Sequence, residues 1–298
     1  MREFKDLESA VKQWSSAFVR PVPDQIRTLN AEDTKRLKLI APGIVFPEGL
    51  QTLIHYPGDR RQVAKGYVYR ILYERVFSVH HRRSTGPVLP NCTDLWISED
   101  AAKAVSSLER IFRNEVETVH EHDKLGAVDA AAHITEREYQ TWRSYTMSLL
   151  SRTCATIKDP SSSAFEKQSS EILQTIWEVL GTWIPESDHA PTREGLGQII
   201  AKAIKIMQLL RMQRAYWTIA YPDWHPIRTP PKLFFNPLTM VDRGTSQGRA
   251  SEIPQESLRN RIVELVIRPA LFKRGDASGN KFDIESCPVR AEVQCQKS

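Results

Sequence analysis

A mostly α fold, an irregular multi-helix bundle with a C-terminal β-hairpin, is the class this sequence predicts. Three observations predict it. Apolar residues recur at helical spacing in several separate stretches, prolines punctuate those stretches, and the residues from Ile262 onward switch to a β-branched run and strict alternation.

Phe4, Leu7, Val11, Trp14 and Phe18 follow a 3-4-3-4 spacing, so they form one stripe of a helix running to Arg20, where Pro21 stops it. Residues 21 to 58 carry Pro42, Pro47 and Pro57 with Gly43, Gly49 and Gly58, and predict loops with one short helix near Asp33 to Leu39. A helix over about Arg60 to Phe77 follows, with Tyr67, Ile71 and Val76 inward. Ser98, followed by Glu99 and Asp100, is an N-cap with a negative first turn for a helix burying Val105, Leu108 and Phe112. Thr135-Glu-Arg-Glu138 is a capping-box pattern; it opens a helix with Tyr139, Trp142, Thr146 and Leu149 on one face. Phe165, Ser169, Ile172, Ile176, Leu180 and Trp183 mark the next helix, stopped by Pro185. Thr192 is expected to cap the last, with Leu196, Ile199, Ala203, Met207, Leu210 and Trp217 inward.

Residues 242 to 257, DRGTSQGRASEIPQES, read as a flexible loop or linker. They separate a helical domain over 1–241 from a hairpin over 258–298 packed on the helices. Its strands are Ile262 to Ile267 and Val289 to Cys295, joined through Arg274 to Asn280. Two strands alone are marginal, so the hairpin needs the helices or a partner as a seat. Between the last helix and the linker, His225-Pro-Ile-Arg-Thr-Pro-Pro-Lys-Leu-Phe-Phe235 cannot continue a helix. It reads as an extended strap holding that helix against the body.

Composition narrows the function classes. Hydrophobic residues make up 41% and charged residues 26% of the chain, which is ordinary for a globular protein. Arg2, Glu3, Lys5 and Asp6 head the chain with no apolar run behind them, unlike a secretory signal peptide, so no export is expected. No apolar stretch reaches membrane-span length, and no membrane partner is expected. Cys92, Cys154, Cys287 and Cys295 lie far apart, which argues for a reducing compartment and against a zinc or disulfide framework.

Catalytic and cofactor signatures fail on geometry, and no cofactor and no enzyme activity is expected. Gly195-Leu-Gly197 has Ile200 where a third glycine would stand and no strand before it. His120 and His122 on a helix would point about 200° apart, so they do not share a metal ion. Charge is more informative. Between Asp59 and Arg83 seven basic residues face two acidic ones, and Lys202, Lys205, Arg211 and Arg214 form a second window free of acids. Arg60, Lys65, Arg70 and Arg75 recur every five residues and rotate by about 140° per step, so they do not form one stripe. One reading is a solvated helix. The other is a nucleic-acid or acidic-partner surface carried by Arg60, Arg61, Lys65, Arg82 and Arg83.

His55-Tyr-Pro57-Gly58, taken with Pro230, Pro231 and Phe234 of the strap, resembles the second, non-alpha-box mating-type regulators of filamentous ascomycetes. That family is marked by sparse His, Pro and Gly positions and a Pro-Pro-Phe signature. The resemblance implies a developmental regulator acting after fertilisation, in fruiting-body and ascospore formation. It also implies a nuclear or nucleocytoplasmic location, other mating-type regulatory proteins as partners, and weak, non-specific nucleic-acid binding at most. No alpha-box or high-mobility-group pattern is present. The competing expectation is a helical enzyme or small-ligand binder with a pocket walled by Trp217, Tyr221 and Trp224.

Overall fold

A computed structural model of the chain describes residues 2–19, 29–44, 47–77, 105, 107–108, 134–156, 163–222, 232–243 and 261–296. It is mostly helical, with seven α-helices among the described residues and two small three-stranded sheets toward the C-terminus.

Helix α1 (Arg2–Trp14) buries the predicted stripe Phe4, Leu7, Val11 and Trp14, then tightens into a 3-10 turn over Ser15–Val19 that buries Phe18. Helix α2 (Ala31–Lys38) starts at Asn30, whose side chain accepts the Asp33 amide at 2.7 Å. A helix not anticipated, α3 (Pro47–His55), follows at once, with Pro47 in the first turn. The proline taken for a loop breaker is a helix starter here, because its missing N–H is one that a first turn leaves unbonded anyway. Pro57 plays the same part for α4 (Pro57–Leu72), which relaxes into a π-turn over Tyr73–Phe77.

Helix α4 is the centre of the molecule. Val63, Ala64, Tyr67, Val68, Ile71 and Leu72 are all buried, and so are the polar Arg60, Gln62 and Lys65. Around it pack α3, the 3-10 turn after α1, α6 (Ser163–Leu180) and, on another side, β3, while α7 (His189–Arg211) packs on α1 and α6 in the same apolar core as Leu265, Ile267 and Leu271. Burial pushes the Tyr67 phenol up to about 12, and raises those of Tyr69 and Tyr221.

Helices α6 and α7 keep most of their expected stripes: Ile172, Ile176, Leu180 and Trp183 in one, Leu196, Ile199, Ala203 and Met207 in the other. Ser169 and Leu210 are half-buried; the side chain of Phe165 lies outside the described residues. Two details differ. Thr192 lies inside α7, where its carbonyl accepts the Trp14 indole N–H at 2.8 Å, and Asp188 occupies the N-cap position. Trp217 belongs to a strand. Of the helix expected after Ser98, only 105 and 107–108 are described; Val105 is buried, whereas Leu108 is 43% exposed.

The C-terminal hairpin is real but bent, and each half recruits a third strand. Strands β3 (Val263–Arg268) and β4 (Ala270–Arg274) are divided by Pro269, which has no N–H for a ladder, and β5 (Glu285–Val289) and β6 (Ala291–Cys295) are divided by Arg290. The distal half, β4 with β5, pairs antiparallel with β1 (Tyr216–Ala220). The proximal half, β3 with β6, adds the parallel strand β2 (Met240–Asp242). The segment Arg274–Asn280 therefore joins β4 to β5. Of the expected linker, Asp242 is instead buried in β2 and accepts Arg261 at 2.6 Å, and residues 244–257 lie outside the described residues.

Strap residues Lys232 to Phe235 are extended as predicted, but they hold a sheet rather than the last helix. The Val263 amide donates to Leu233 O at 2.8 Å and the Phe235 amide to Arg261 O at 2.9 Å, while Val266 donates to Ile40 O at 2.8 Å. Those bonds cover the outer edge of β3. Leu233 and Phe235 are buried in a second apolar cluster with Tyr221, Met240 and Val293.

Strand β3 lies directly on α4. A methyl group at Gly66 would stand 2.7 Å from Val266 O, and one at Gly43 would stand 2.6 Å from Val263 O. Helix propensity alone would make Gly66→Ala stabilising by about 1 kcal/mol. The close approach reverses the sign: overpacking predicts a loss of about 1–3 kcal/mol. Urea unfolding of the variant checks this, and a rise in stability would contradict the packing described.

Candidate functional site

Two basic residues of α4, Arg60 and Lys65, are buried, and Arg61 and Arg70 are half-buried. Arg60 is 2% exposed and donates from Nε to Phe18 O at 2.8 Å; Arg61 donates from Nη2 to Lys12 O at 2.8 Å and from Nε to Ser15 Oγ at 3.1 Å. Both guanidinium groups thus satisfy carbonyls that the end of α1 and its 3-10 turn leave without helical partners. Lys65 is 8% exposed and pairs with Glu292 of β6 at 3.4 Å. Desolvation lowers the pKa of Arg60 and of Lys65, with Glu292 opposing the shift in Lys65. These residues join parts of the fold, and a phosphate or carboxylate from outside has no access to the Arg60 and Lys65 charges. Arg82 and Arg83 lie outside the described residues.

The residues carrying the family resemblance fall in two places. His55, Pro57 and Gly58 are exposed at the junction of α3 and α4, with Tyr56 between them. Phe234 is half-buried and bridges to Ile262 in the covered edge of β3. Pro230 and Pro231 lie outside the described residues, as does Trp224. Trp217 and Tyr221 make separate contacts. The Trp217 indole N–H donates to Gln213 at 2.7 Å and its ring carries the Lys273 ammonium at 5.5 Å. Tyr221 packs on Tyr73 and Arg70 and donates to Gly66 O at 3.4 Å.

The second basic window leads elsewhere. Arg211 is buried, Lys202 and Lys205 are exposed along α7, and Arg214 follows α7 in the turn into β1. Arg214 lines a cleft of about 530 Å³ between that turn, helix α5 (Glu136–Thr156) and β4. Helix α5 begins with the anticipated capping box: the Glu138 amide donates to Thr135 Oγ1 at 3.2 Å and the Thr135 amide to Glu138 Oε2 at 2.9 Å. Its buried face is Tyr139, Gln140, Arg143, Ser144 and Met147, not the expected Tyr139, Trp142, Thr146 and Leu149 stripe. Arg143 explains the difference. Its Nη2 donates to the carbonyls of Gln213 at 3.1 Å and Ala215 at 3.3 Å, the two residues flanking Arg214, and its guanidinium lies over the Tyr216 ring at 5.7 Å.

A buried arginine thus fixes the turn that presents an exposed one. The cleft is lined by Thr141, Tyr145, Ser148 and Arg152 of α5 together with Arg214 and Lys273, and among its described lining residues none is acidic. Ser144 and Ser148 donate their hydroxyl protons to Thr141 O and Ser144 O of their own helix. Both serine hydroxyls are thus engaged within the helix, and Arg214 and Lys273 are charged donors on the border of the cleft. Gly279, at φ 78°, lets the β4–β5 turn close against Arg214 and Thr141. Asp276 in that turn is engaged locally: its Oδ1 accepts the amides of Ser278 at 2.9 Å and Asn280 at 3.0 Å. Along one rim run Tyr145, 67% exposed, and Leu149, 44% exposed, one helical turn apart.

No protein-family model, curated protein or solved structure matches the chain. No helix among the described residues is long and apolar enough to cross a membrane.

Two kinds of arginine should separate experimentally. Arg60→Ala strands the buried Phe18 carbonyl and is expected to cost about 2–3 kcal/mol of stability. Arg214→Ala removes an exposed charge and is expected to change stability by less than about 0.5 kcal/mol. Chemical denaturation of both variants checks the assignment, and a neutral Arg60→Ala would refute the structural role.

Proposed function

We propose that this chain is a non-enzymatic regulator that works by binding an acidic segment of a partner protein. The supporting observation is the cleft at α5: Arg214 and Lys273 on its border, no acidic residue among its described lining, and an aromatic and aliphatic ridge of Tyr145 and Leu149 beside it. Protein interfaces combine an apolar anchor with charges that steer and orient. A nucleic-acid strand instead asks for a track of cations following the backbone, with ligand affinity carried by many phosphates. In the setting implied by His55, Pro57, Gly58 and Phe234, the partners are other mating-type regulatory proteins, and the process is sexual development after fertilisation. On this reading the acidic segment meets Arg214 and Lys273 rather than α4.

Fluorescence anisotropy with a labelled Asp/Glu-rich peptide provides the test. The expected outcome is salt-sensitive binding that weakens by about tenfold or more in the Arg214→Glu, Lys273→Glu double variant. Arg75→Glu, in a separate cleft with Lys167 and Arg193 that also contains Glu171, is expected to leave it unchanged. Equal loss in both variants, or none in either, would remove the site.

A further inference from the structure

We infer that the α5 cleft is a docking site for a phosphorylated serine or threonine of a partner protein, an inference that rests on the acidic-partner reading above. Charge is the first argument. Arg214 and Lys273 both border one cleft, and a phosphomonoester that carries about −1.5 to −2 near pH 7 matches their two charges, which a single carboxylate does not.

Geometry is the second. Arg214 is held from behind by Arg143 through the two carbonyls that flank it, and from the side by Gly279, so its presentation is set before any ligand arrives. Lys273 is placed by the Trp217 face beneath its ammonium, and Trp217 is in turn fixed by Gln213 of the same turn. Preorganised donors lose little freedom on binding, and a guanidinium can grip two phosphate oxygens at once. The third argument concerns size and surroundings. A cleft of about 530 Å³ with cations gathered at one place accommodates one phosphorylated side chain and its immediate neighbours, whereas the exposed Tyr145–Leu149 ridge offers flanking residues an apolar seat.

The full-length chain is to be titrated against a short degenerate peptide with a central phosphoserine, its unphosphorylated form, its aspartate counterpart and oligothymidine, all at one ionic strength. The phosphoserine peptide is expected to bind about tenfold more tightly than the aspartate peptide, with the advantage shrinking as pH falls below the second phosphate pKa of about 6. Arg214→Ala or Lys273→Ala is expected to abolish that advantage while the thermal midpoint stays at the wild-type value. Equal affinity for the phosphoserine and aspartate peptides overturns the phosphoryl inference and leaves the acidic-partner reading standing. Tighter binding of oligothymidine overturns the inference in favour of a nucleic-acid ligand. Failure of all the anionic probes to bind overturns both the inference and the reading beneath it.

Discussion

Helix α4 and strand β3 meet at Gly66 with no side chain between their backbones, and the rest of the molecule is arranged around that approach. A strand can lie so close to a helix only where the helix lacks a Cβ, and Gly43 makes the same allowance for the chain after α2. Bringing β3 onto α4 leaves the helix with neighbours on several sides, since α3, α6 and the 3-10 turn after α1 occupy the others. The buried charges on α4 must then be matched internally, and Arg60 and Lys65 are. Arg60 takes a carbonyl of the 3-10 turn, Lys65 takes Glu292, and Arg268 of β3 reaches back to Glu8 of α1. Each bond joins a helix to a distant element, so the buried charges work as ties whose loss would leave an unpaired partner.

That arrangement explains which parts of the fold were legible in the sequence. Amphipathic helices that cover a core from one side announce themselves by spacing, and α1, α6 and α7 were readable for that reason. Helix α4 is buried nearly all round, so its basic residues mimic a solvated or ligand-binding face when only their charge is counted. Nothing local separates a buried guanidinium bonded to carbonyls from an exposed one; the difference lies in Lys12, Ser15 and Phe18, more than forty positions away. Helix α3 was hidden because Pro47 reads equally as a breaker or as a first-turn residue. The bend in the C-terminal hairpin was signalled by Pro269, but its two recruited strands, β1 and β2, are settled by long-range pairing that no local pattern encodes.

The proposed site was half legible. Arg214 stood in an acid-free basic window and Lys273 in the expected hairpin, yet they meet only because β1 joins β4 in the sheet. Arg143, which holds the turn around Arg214, lies on the buried face of α5 between Tyr139 and Met147. A charged residue at a position where Tyr139 and Met147 are buried is the one signal that could have shown α5 turning toward a polar target. The same displacement frees Tyr145 and Leu149 for solvent, so a single buried arginine both shapes the cleft and exposes the ridge beside it.

The account therefore stands on α4 being interior, because that places the functional charge at α5 and not on the helix richest in basic residues. Hydrogen–deuterium exchange read at peptide resolution on the intact chain measures this directly. Amides of α4 are expected to share the slowest exchange in the protein with those of β3 and β6, opening only when the whole structure unfolds. Fast exchange across Arg60 to Leu72, at rates like those of the exposed side of α5, would contradict it.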